Sequence, residues 1–412
     1  MKKRTVLLLF LVAISVVTFL DRINISVAGA TIMADLGLTP SQWGWVLSVF
    51  TISYGLMQVP LGVWGDKRGH RLVLALIVLW WSLFTGLTGM AAGFVSLLVI
   101  RFGFGIGEAG SYPCMTGVVV KWYREQETSI AQGYIWAASR LGGALTPFVV
   151  LPVLACLGWR VAFYLLAALG VLWSIGWYLW YRNAPREVKG ITPAELATLP
   201  EARPAAEKVV VPWRRMMRNG QFWLLLGMYF FYAFGSWFFF SWFPTFMEMG
   251  RGFARAELTY VVAIPFVMSM IGNIAGGYLS TRLSARYGLK TGRRLLGVGG
   301  LALSALCMFL AAFIPGKMQV FVFLSLCFGV IDLMLPSAWA ICSDIGRQYA
   351  GAVSGAMNTA GNIGGFVCAT LFGYLVQATG DYNAPLFVIA AMLIVAAVLF
   401  LRIDPAKPLV EE

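Results

Sequence analysis

Six charged side chains of this chain stand where no loop or helix end can hold them. They lie inside long apolar runs, three of them acidic and three basic: Asp21, Arg22, Arg101, Glu108, Arg140 and Asp332. A charge at the centre of a bilayer-spanning helix costs about 2.5–3.5 kcal/mol even on the most lenient insertion scale. These groups are therefore expected to handle protons or a charged cargo inside a membrane.

The spacing of the charges indicates how they are used. Asp21 and Arg22 are adjacent, so about 100° of helix rotation separates them and each needs a different partner. Arg101 and Glu108 lie on one helix face but about 10 Å apart along it, too far to neutralise each other directly. Burial disfavours a charged carboxylate, whereas a nearby arginine favours it. An arginine alternately free and occupied by an anion could thus switch the proton affinity of Glu108.

Composition places these charges in a membrane protein. The chain is 59% hydrophobic and 12% charged, with a mean hydropathy of +0.78, whereas soluble domains contain about 25% charged residues. Long apolar runs alternate with short basic loops, which is typical of a polytopic helical protein. The first run, 5–30, is too long for a signal peptide and contains Asp21 and Arg22, so we expect it to be the first span.

The predicted fold class is an all-α membrane protein of twelve transmembrane helices in two six-helix halves. The predicted spans are 5–29, 41–64, 71–91, 94–120, 128–156, 159–181, 221–247, 256–281, 294–314, 318–344, 349–377 and 382–402. The predicted domains are an N-terminal bundle (1–181), a polar and basic central loop (182–220), and a C-terminal bundle with a short tail (221–412). In the central loop, Thr192 is a candidate N-cap of a short surface helix.

Lysine and arginine set the predicted orientation. With the N-terminus inside, cytoplasmic segments would hold 24 of these residues and outer loops four. The excess of positive charge inside predicts that both termini are cytoplasmic, in a multi-pass protein of the inner membrane. The net charge of +13 then belongs to the membrane surface, and we expect no nucleic-acid partner.

Other classes of protein fit the sequence poorly. The six cysteines lie in apolar helices without paired spacing, which indicates packing rather than disulfides or metal ligands. One loop histidine, His70, and scattered cysteines supply no nucleophile–base set, so we expect no enzyme and no metal site. A nucleotide-phosphate loop is also missing from the sequence, so neither ATP-driven pumping nor a cofactor is expected.

Five segments together resemble the major facilitator superfamily and, within it, the anion:cation symporter branch. They are GVWGDKRGHR (62–71), RFGFGIGEA (101–109), FLDRINIS (19–26), WFPTF (242–246) and the glycine-rich run 351–362. The first is similar to the loop 2–3 signature of the superfamily, and 277–288 repeats it weakly in the second half, with Thr281 where aspartate is usual. That branch includes bacterial sugar-acid transporters and the vesicular glutamate and sialic acid transporters of animals.

The resemblance implies a proton-coupled symporter that imports an organic anion, with a sugar acid (hexuronate, aldonate or aldarate) favoured, by alternating access. We expect the protein to be a monomer whose partners are a small organic anion, protons and the lipid bilayer. A proton-coupled exporter of a drug or metabolite remains the alternative, although three buried arginines favour an anion over a lipophilic cation.

The resemblance also implies roles for particular residues. The candidate substrate-binding residues are Arg22, Tyr54, Arg101, Arg140, Tyr229, Trp339 and Asn358. The candidate proton-coupling residues are Asp21, Glu108 and Asp332. The candidate gating residues, which would lock the outward-facing state, are Gly62, Asp66, Lys67 and Arg71.

Several of these roles have structural alternatives. Arg101 either contacts the ligand or pairs within the N-terminal half. Asp332 either bonds to backbone or polar groups near 337–342 or serves as a second protonatable group. Arg140 either meets a second carboxylate of the substrate or is the counter-ion of Glu108 or Asp21. The span 11 glycines are expected to allow close helix approach: Gly351, Gly355, Gly361, Gly364 and Gly365.

Overall fold

The structure, a computed structural model, describes residues 2–123, 125–197, 199 and 211–409. Within these residues, 12 helical segments are long and apolar enough to cross a membrane, which confirms the predicted number of spans. Part of the predicted central loop, residues 198 and 200–210, lies outside the described residues, as does Arg124, which was counted among the cytoplasmic cations.

The chain forms two compact units. The first comprises Met1–Leu38 and Val49–Ala206, and the second comprises Thr39–Ser48 and Glu207–Glu412. The helices that begin in the first half of the chain are α1 (Lys3–Val27), α2 (Gly29–Leu36), α3 (Pro40–Arg68), α4 (His70–Thr88), α5 (Phe94–Glu108), α6 (Ser111–Trp122), α7 (Glu125–Leu157) and α8 (Trp159–Trp180). Spans 1, 2 and 3 are α1, α3 and α4, span 4 is α5 with α6, and spans 5 and 6 are α7 and α8.

The second half repeats this plan after two short helices. Its helices are α9 (Pro193–Leu196), α10 (Trp213–Arg218), α11 (Gly220–Ser241), α12 (Phe243–Thr245), α13 (Arg255–Tyr287), α14 (Leu289–Phe313), α15 (Lys317–Ile331), α16 (Leu335–Gly346), α17 (Ala350–Thr379) and α18 (Ala384–Arg402). Spans 7, 8 and 9 are α11, α13 and α14, span 10 is α15 with α16, and spans 11 and 12 are α17 and α18. A π-helical turn, Phe246–Gly250, follows α12.

Packing inside each unit follows the same scheme. In the first unit α1 packs on α7, α4 on α8 and α4 on α5. In the second unit the equivalent helices make the equivalent pairs: α11 with α17, α14 with α18, and α14 with α15. The repeat that the loop sequences suggested weakly is therefore present in the packing of the helices.

The fourth span of each half is broken at the same place. Helix α5 has 15 residues and α6 has 12, and α15 and α16 have the same lengths. A proline lies in the first turn after each break, Pro113 in α6 and Pro336 in α16. Proline is tolerated there because the first N–H groups of a helix have no intrahelical partner. Glu108 ends α5 and Asp332 follows α15, so both breaks carry a buried acid.

Glycines let the closest helix pairs meet. A Cβ on Gly142 of α7 would lie 2.6 Å from the carbonyl oxygen of Val16 in α1, and one on Gly364 of α17 would collide with the carbonyl of Phe230 in α11. The predicted role of Gly361, Gly364 and Gly365 in helix approach is confirmed. For Gly351 and Gly355 it is wrong, because no described atom lies within 4 Å of a Cβ there. Spacing alone could not show which face of α17 is packed.

Helices extend further than the predicted spans at one end of the second unit. The prediction placed the basic residues 282–293 in a loop, whereas α13 continues to Tyr287 and α14 begins at Leu289. Only Gly288 separates the two helices, with a left-handed φ of 82°. Hydropathy marks the apolar part of a helix, so charged turns that extend beyond it were missed.

A short segment after span 6 ties together the ends of the first unit. Asn183 Oδ1 accepts a hydrogen bond of 3.0 Å from the backbone N–H of Arg71, at the start of span 3. The Arg71 side chain donates to the carbonyl of Tyr178 at 2.9 Å. Gly69 has a φ of 91°, and a Cβ at this position would collide with the Asn183 side chain. This segment continues into α9.

Helix α9 holds the start of span 1. Thr192 accepts a hydrogen bond from the backbone N–H of Glu195 at 3.2 Å, so the predicted N-cap and short helix are confirmed. Glu195 Oε1 in turn accepts from the backbone N–H of Arg4 at 2.8 Å. We call the segment from Asn183 to Glu195 the central strap.

The chain after span 12 makes a corresponding strap in the second unit. This tail strap, residues 403–409, bonds to span 9 through Asp404, whose Oδ2 accepts from Lys290 Nζ at 2.6 Å. It reaches span 10 through Leu409, whose N–H donates to the carbonyl of Ile345 at 2.9 Å. Two side chains at the start of span 7 also bond to the tail: Asn219 and Gln221.

The tail strap should make stability depend on pH. The hydrogen bond from Lys290 holds the pKa of the Asp404 carboxyl below its usual range. A carboxyl whose pKa is lower in the folded state stabilises the protein above its unfolded pKa, and this contribution is lost as pH falls through the folded value. We expect Asp404→Asn to cost about 0.5–1 kcal/mol at neutral pH, measured by thermal unfolding in detergent.

The matched control is Glu187→Gln, a substitution of an exposed acid in the loop after span 6. The difference between wild type and Asp404→Asn should shrink as the pH is lowered into the acid range. A difference that stays constant with pH, or an equal loss in the control, would show that the Asp404–Lys290 bond does not stabilise the fold.

Candidate functional site

The centre of the first unit is an ion pair between span 1 and span 4. Arg22 donates to Glu108 Oε1 from Nε at 3.0 Å and from Nη2 at 2.6 Å. Glu108 is fully buried, whereas the Arg22 side chain keeps 12% of its surface exposed. The sequence showed that Glu108 has no partner within its own helix, and the structure supplies the partner from span 1.

Glu108 uses only part of its bonding capacity. Its Oε2 finds no hydrogen-bond partner among the described residues. Glu108 is the last residue of α5, directly before the break in span 4. The pair is therefore reachable from the Arg22 side only, because the carboxylate itself has no exposed surface.

Asp21 faces a different partner, as predicted from its position beside Arg22. Its Oδ2 accepts a hydrogen bond of 3.2 Å from Trp81 Nε1 on span 3. Asp21 is buried, and its Oδ1 has no hydrogen-bond partner within the described chain. One face of span 1 thus binds span 3 through Asp21, and another binds span 4 through Arg22.

Arg101 completes the group of buried charges. Its guanidinium carbon lies 4.6 Å from the centre of the Phe104 ring and 5.1 Å from that of Phe50. The Phe50 ring also lies under Arg22, at 5.2 Å, so one aromatic ring is shared by two like charges. We call Asp21, Arg22, Arg101 and Glu108 the charge cluster, since the other three members all interact electrostatically with Glu108.

Aromatic rings surround the exposed end of the pair. The Arg22 guanidinium lies 5.0 Å from the Tyr54 ring centre and 5.1 Å from that of Phe19. Tyr54, predicted as a substrate-binding residue, is therefore next to Arg22. Arg101 is almost completely buried, so Arg22 is the more accessible arginine of the cluster.

Span 5 contributes a hydroxyl network that the sequence reasoning missed. Tyr112, four residues beyond Glu108, shares hydrogen bonds with Ser139 at 2.5 Å and with Ser15 at 3.3 Å. Its ring stacks on Trp136 with centres 4.6 Å apart. Arg140, next to Ser139, is half-buried. The spacing of four residues after a buried acid could have singled out Tyr112.

Asp332 occupies the corresponding position in the second unit, but its bonds are different. Its Oδ1 accepts from the Tyr232 hydroxyl at 3.0 Å, and its Oδ2 from the Ser269 hydroxyl at 2.5 Å. The sequence left two alternatives for Asp332, a bond to groups near 337–342 or a second protonatable group, and these two hydroxyl partners from other spans were not foreseen. These hydroxyls come from spans 7 and 8, which pack beside the break, whereas 337–342 continue along α16.

Two of the predicted substrate-binding residues of the second unit, Tyr229 and Trp339, lie near Tyr232. The Tyr229 ring is 5.1 Å from that of Tyr232 and 6.5 Å, edge-on, from that of Trp339. Gly361 packs against Tyr229. Asn358, three residues earlier on α17, accepts a bond from Asn362 through its backbone carbonyl.

The predicted gate lies at the end of span 2. The Asp66 side chain is 74% exposed and approaches His70 Nε2 at 3.5 Å. Lys67 is exposed, and Arg71 is held by the central strap. A Cβ on Gly62 would lie 3.0 Å from Pro113, so this glycine lets span 2 lie close to span 4.

Within the described residues, no group of three or more His, Cys, Asp or Glu is arranged so that it could hold a metal ion. The six cysteines are free, and five of them are buried. The site is therefore built from arginines, carboxylates, hydroxyls and aromatic rings. This combination suits binding of an anion and transfer of protons rather than covalent chemistry.

Comparison with known proteins identifies the fold family. The family model described as Major Facilitator Superfamily matches residues 11–369. The chain belongs to the Major Facilitator Superfamily. It is accordingly a multi-pass membrane transporter and not an enzyme.

Relatives in this superfamily carry organic acids. A probable sulfoacetate transporter of Cupriavidus necator is 36% identical, over 94% of this chain and 91% of the relative. A probable L-galactonate transporter of Escherichia coli is 28% identical, over 98% of this chain and 91% of the relative. The resemblance to the superfamily is confirmed over nearly the whole chain.

A solved structure shares the fold. It is a bacterial homologue of the human lysosomal transporter Spinster, with a TM-score of 0.81 at 20% identity, covering 97% of this chain and 96% of that one. At this identity the similarity shows the fold alone. The all-α fold of twelve spans is confirmed.

The Arg22–Glu108 pair should be strongly coupled in stability. Removing one partner of a buried ion pair leaves an uncompensated charge and costs about 3–5 kcal/mol. We therefore expect Glu108→Leu to lower the unfolding temperature in detergent sharply, and the added substitution Arg22→Leu to recover much of the loss. The experiment is a double-mutant cycle on purified protein.

The control cycle uses Asp35 and Arg160, an ion pair with the same 2.6 Å distance but with both side chains 43% exposed. That pair should contribute less than about 1 kcal/mol. Additive losses at Arg22 and Glu108, without recovery in the double variant, would contradict the electrostatic coupling.

Proposed function

We propose that this protein is a proton-coupled symporter that imports an organic anion across the bacterial inner membrane by alternating access. The observation that carries the proposal is the Arg22–Glu108 pair, in which a buried carboxylate occupies the accessible arginine. Protonation of Glu108 removes the negative charge from Arg22. A substrate carboxylate can then take its place on the guanidinium, with the same charge-assisted hydrogen bonds.

This exchange couples the two ligands thermodynamically. A proton on Glu108 favours binding of the anion, because the Arg22 guanidinium then lacks a negatively charged partner. A bound anion in turn favours the proton on Glu108, because it occupies the arginine that would otherwise stabilise the carboxylate. The names of the relatives support an acidic substrate, and a sugar acid is the favoured class. Arginine at position 22 suits a carboxylate because its planar fork can donate two bonds.

The remaining predicted residues are assigned in the same scheme. Tyr54 borders the Arg22 guanidinium and would donate to the substrate from the first unit. Three residues of the second unit are proposed as further substrate-binding residues: Tyr229, Trp339 and Asn358. Asp21 would exchange protons with Glu108, and Asp332 would act as a second protonatable group. The orientation with both termini in the cytoplasm belongs to this proposal.

A proton-coupled exporter of the same fold is the second candidate. The same buried acids would serve it, but a lipophilic cation would meet three arginines in the first unit. Uptake assays in proteoliposomes separate the two. An acidic outside should drive accumulation of a carboxylate for the importer and expulsion of a cationic dye for the exporter.

Glu108→Gln tests the coupling directly. Glutamine imitates the protonated acid permanently, so the variant should exchange substrate in counterflow but fail to concentrate it under a proton gradient. Asp21→Asn should also lose gradient-driven uptake, with slower proton release or reloading. The paired measurements are counterflow exchange and pH-driven uptake of an organic acid such as L-galactonate in proteoliposomes. Accumulation by Glu108→Gln under a proton gradient would assign the coupling to another acid, with Asp332 the next to test.

Asp66→Asn tests the gate. Asp66 lies at the exposed end of span 2, away from the charge cluster, so the substitution should leave ligand affinity within about twofold while shifting the balance of inward- and outward-open states. Affinity can be followed by thermal shift and the two states by distance measurements between spin labels. A large loss of ligand affinity with an unchanged distribution of states would contradict a gating role for Asp66.

A further inference from the structure

Two side-chain contacts fix how span 5 lies against span 4. Gln132 on α7 donates to the Thr116 hydroxyl on α6 at 3.0 Å. One helical turn further along α7, Trp136 stacks on Tyr112 of α6. The residue number rises by four on span 5 while it falls by four on span 4, so the helices are antiparallel and in regular register.

The next step of this register pairs Arg140 with Glu108. The backbone between Glu108 and α6 keeps right-handed helical angles, with φ −55° at Ala109 and −81° at Gly110, so the stripe continues across the break. The register therefore places Arg140 of span 5 at the level of Glu108, whose carboxylate is bonded to Arg22 of span 1.

The face of span 5 that carries Arg140 also carries an open aromatic ring. Trp136, one turn away, is 49% exposed although its other side stacks on Tyr112. Both residues lie within the spanning segment Ile130–Leu157. An arginine that faced lipid at this depth would cost about 2.5–3.5 kcal/mol. This face is therefore directed at water or a ligand, and the ring offers an apolar surface beside the charge.

Charge balance indicates what that ligand carries. The interior of the first unit's spans holds three arginines and two acids, a sum of 3 − 2 = +1. When Glu108 takes up a proton the sum becomes 3 − 1 = +2. A dianion balances this charge and a monoanion leaves half of it, which is unfavourable in a medium of low dielectric constant.

We infer that Arg140, with the Trp136 ring beside it, forms a second anion subsite, and that the substrate is a short organic dianion. This inference rests on the proposed function, in which Arg22 binds the first acidic group. The second group binds the Arg140 guanidinium, and the carbon chain between them lies against the Trp136 face. Two kinds of compound have this chemistry: an aldarate with two carboxylates, and a carboxylate that bears a sulfonate.

The test compares dianions with monoanions in one assay. Binding is measured by thermal shift, and uptake in proteoliposomes, for galactarate, sulfoacetate, galactonate and glucuronate. Wild type should bind at least one of the two dianions more tightly than either monoanion. The dianion that binds shows whether the second acidic group of the substrate is a carboxylate or a sulfonate. Arg140→Gln should weaken the affinity for the dianion about 10- to 100-fold, the loss expected for one charge-assisted contact. The affinity for a monoanion should change less than about threefold.

Two further variants keep the result decisive. Arg140→Lys keeps the charge without the fork and should retain part of the preference for dianions, even if Arg140→Gln folds poorly. Arg160→Gln removes a surface arginine of the same unit and should leave the preference unchanged. Equal loss of dianion and monoanion binding in Arg140→Gln would overturn the second subsite and make Arg140 a counter-ion of Glu108.

Arg22→Lys separates this inference from the proposed function. It should abolish binding of dianions and monoanions alike, because both use the first subsite. If Arg22→Lys binds both normally, the anion site of the proposed function is wrong. If Arg22→Lys loses both but wild type shows no preference for either dianion, the proposed site stands and the second subsite falls.

Discussion

A charge inside a membrane must be neutralised by the groups around it. In the first unit this constraint acts through the Arg22–Glu108 pair, which the arrangement of the surrounding helices must preserve. Glu108 has no exposed surface, so only a partner delivered by another helix can compensate it. Spans 1 and 4 must therefore keep one rotation and one depth relative to each other. The rings of Phe19, Phe50 and Tyr54 surround the guanidinium and leave one side of it open.

The second unit uses the same helical plan with different electrostatics. Its fourth span breaks at the equivalent point and also presents a buried acid, Asp332, which accepts hydrogen bonds from the hydroxyls of Tyr232 and Ser269. Hydroxyl groups can donate to a carboxylate without adding a formal charge. The buried arginine–carboxylate pair described above lies in the first unit. In the second unit, Tyr232 links Asp332 to Tyr229.

The two straps meet another requirement of the fold. Helices of a membrane protein gain little from hydrophobic attraction to one another inside lipid, so their ends must be fixed by specific bonds. The central strap joins the starts of spans 1 and 3 through Glu195 and Asn183. The tail strap joins spans 7, 9 and 10, with Asp404 bonded to Lys290. Each bundle is thereby tied at one end by the segment that follows its last helix.

Sequence alone determined the twelve spans, the capped helix at Thr192 and the identity of the buried charges, because apolar length and the cost of charge in lipid are properties of single segments. It also predicted that Asp21 and Arg22 face different partners, which follows from the helical period. It misjudged the packed face of span 11 at Gly351 and Gly355, and the helix that continues to Tyr287.

Only the tertiary structure decided which groups meet. Arg22 and Glu108 are 86 residues apart, Asp21 and Trp81 are 60 apart, and Tyr232 and Asp332 are 100 apart. The period of one helix fixes directions within that helix, but the rotation and register between helices depend on how all their faces pack together. Small residues such as Gly142 and Gly364 set that packing through close backbone contacts. The sequence therefore named the charges of the site, and the packing of the bundle decided their partners.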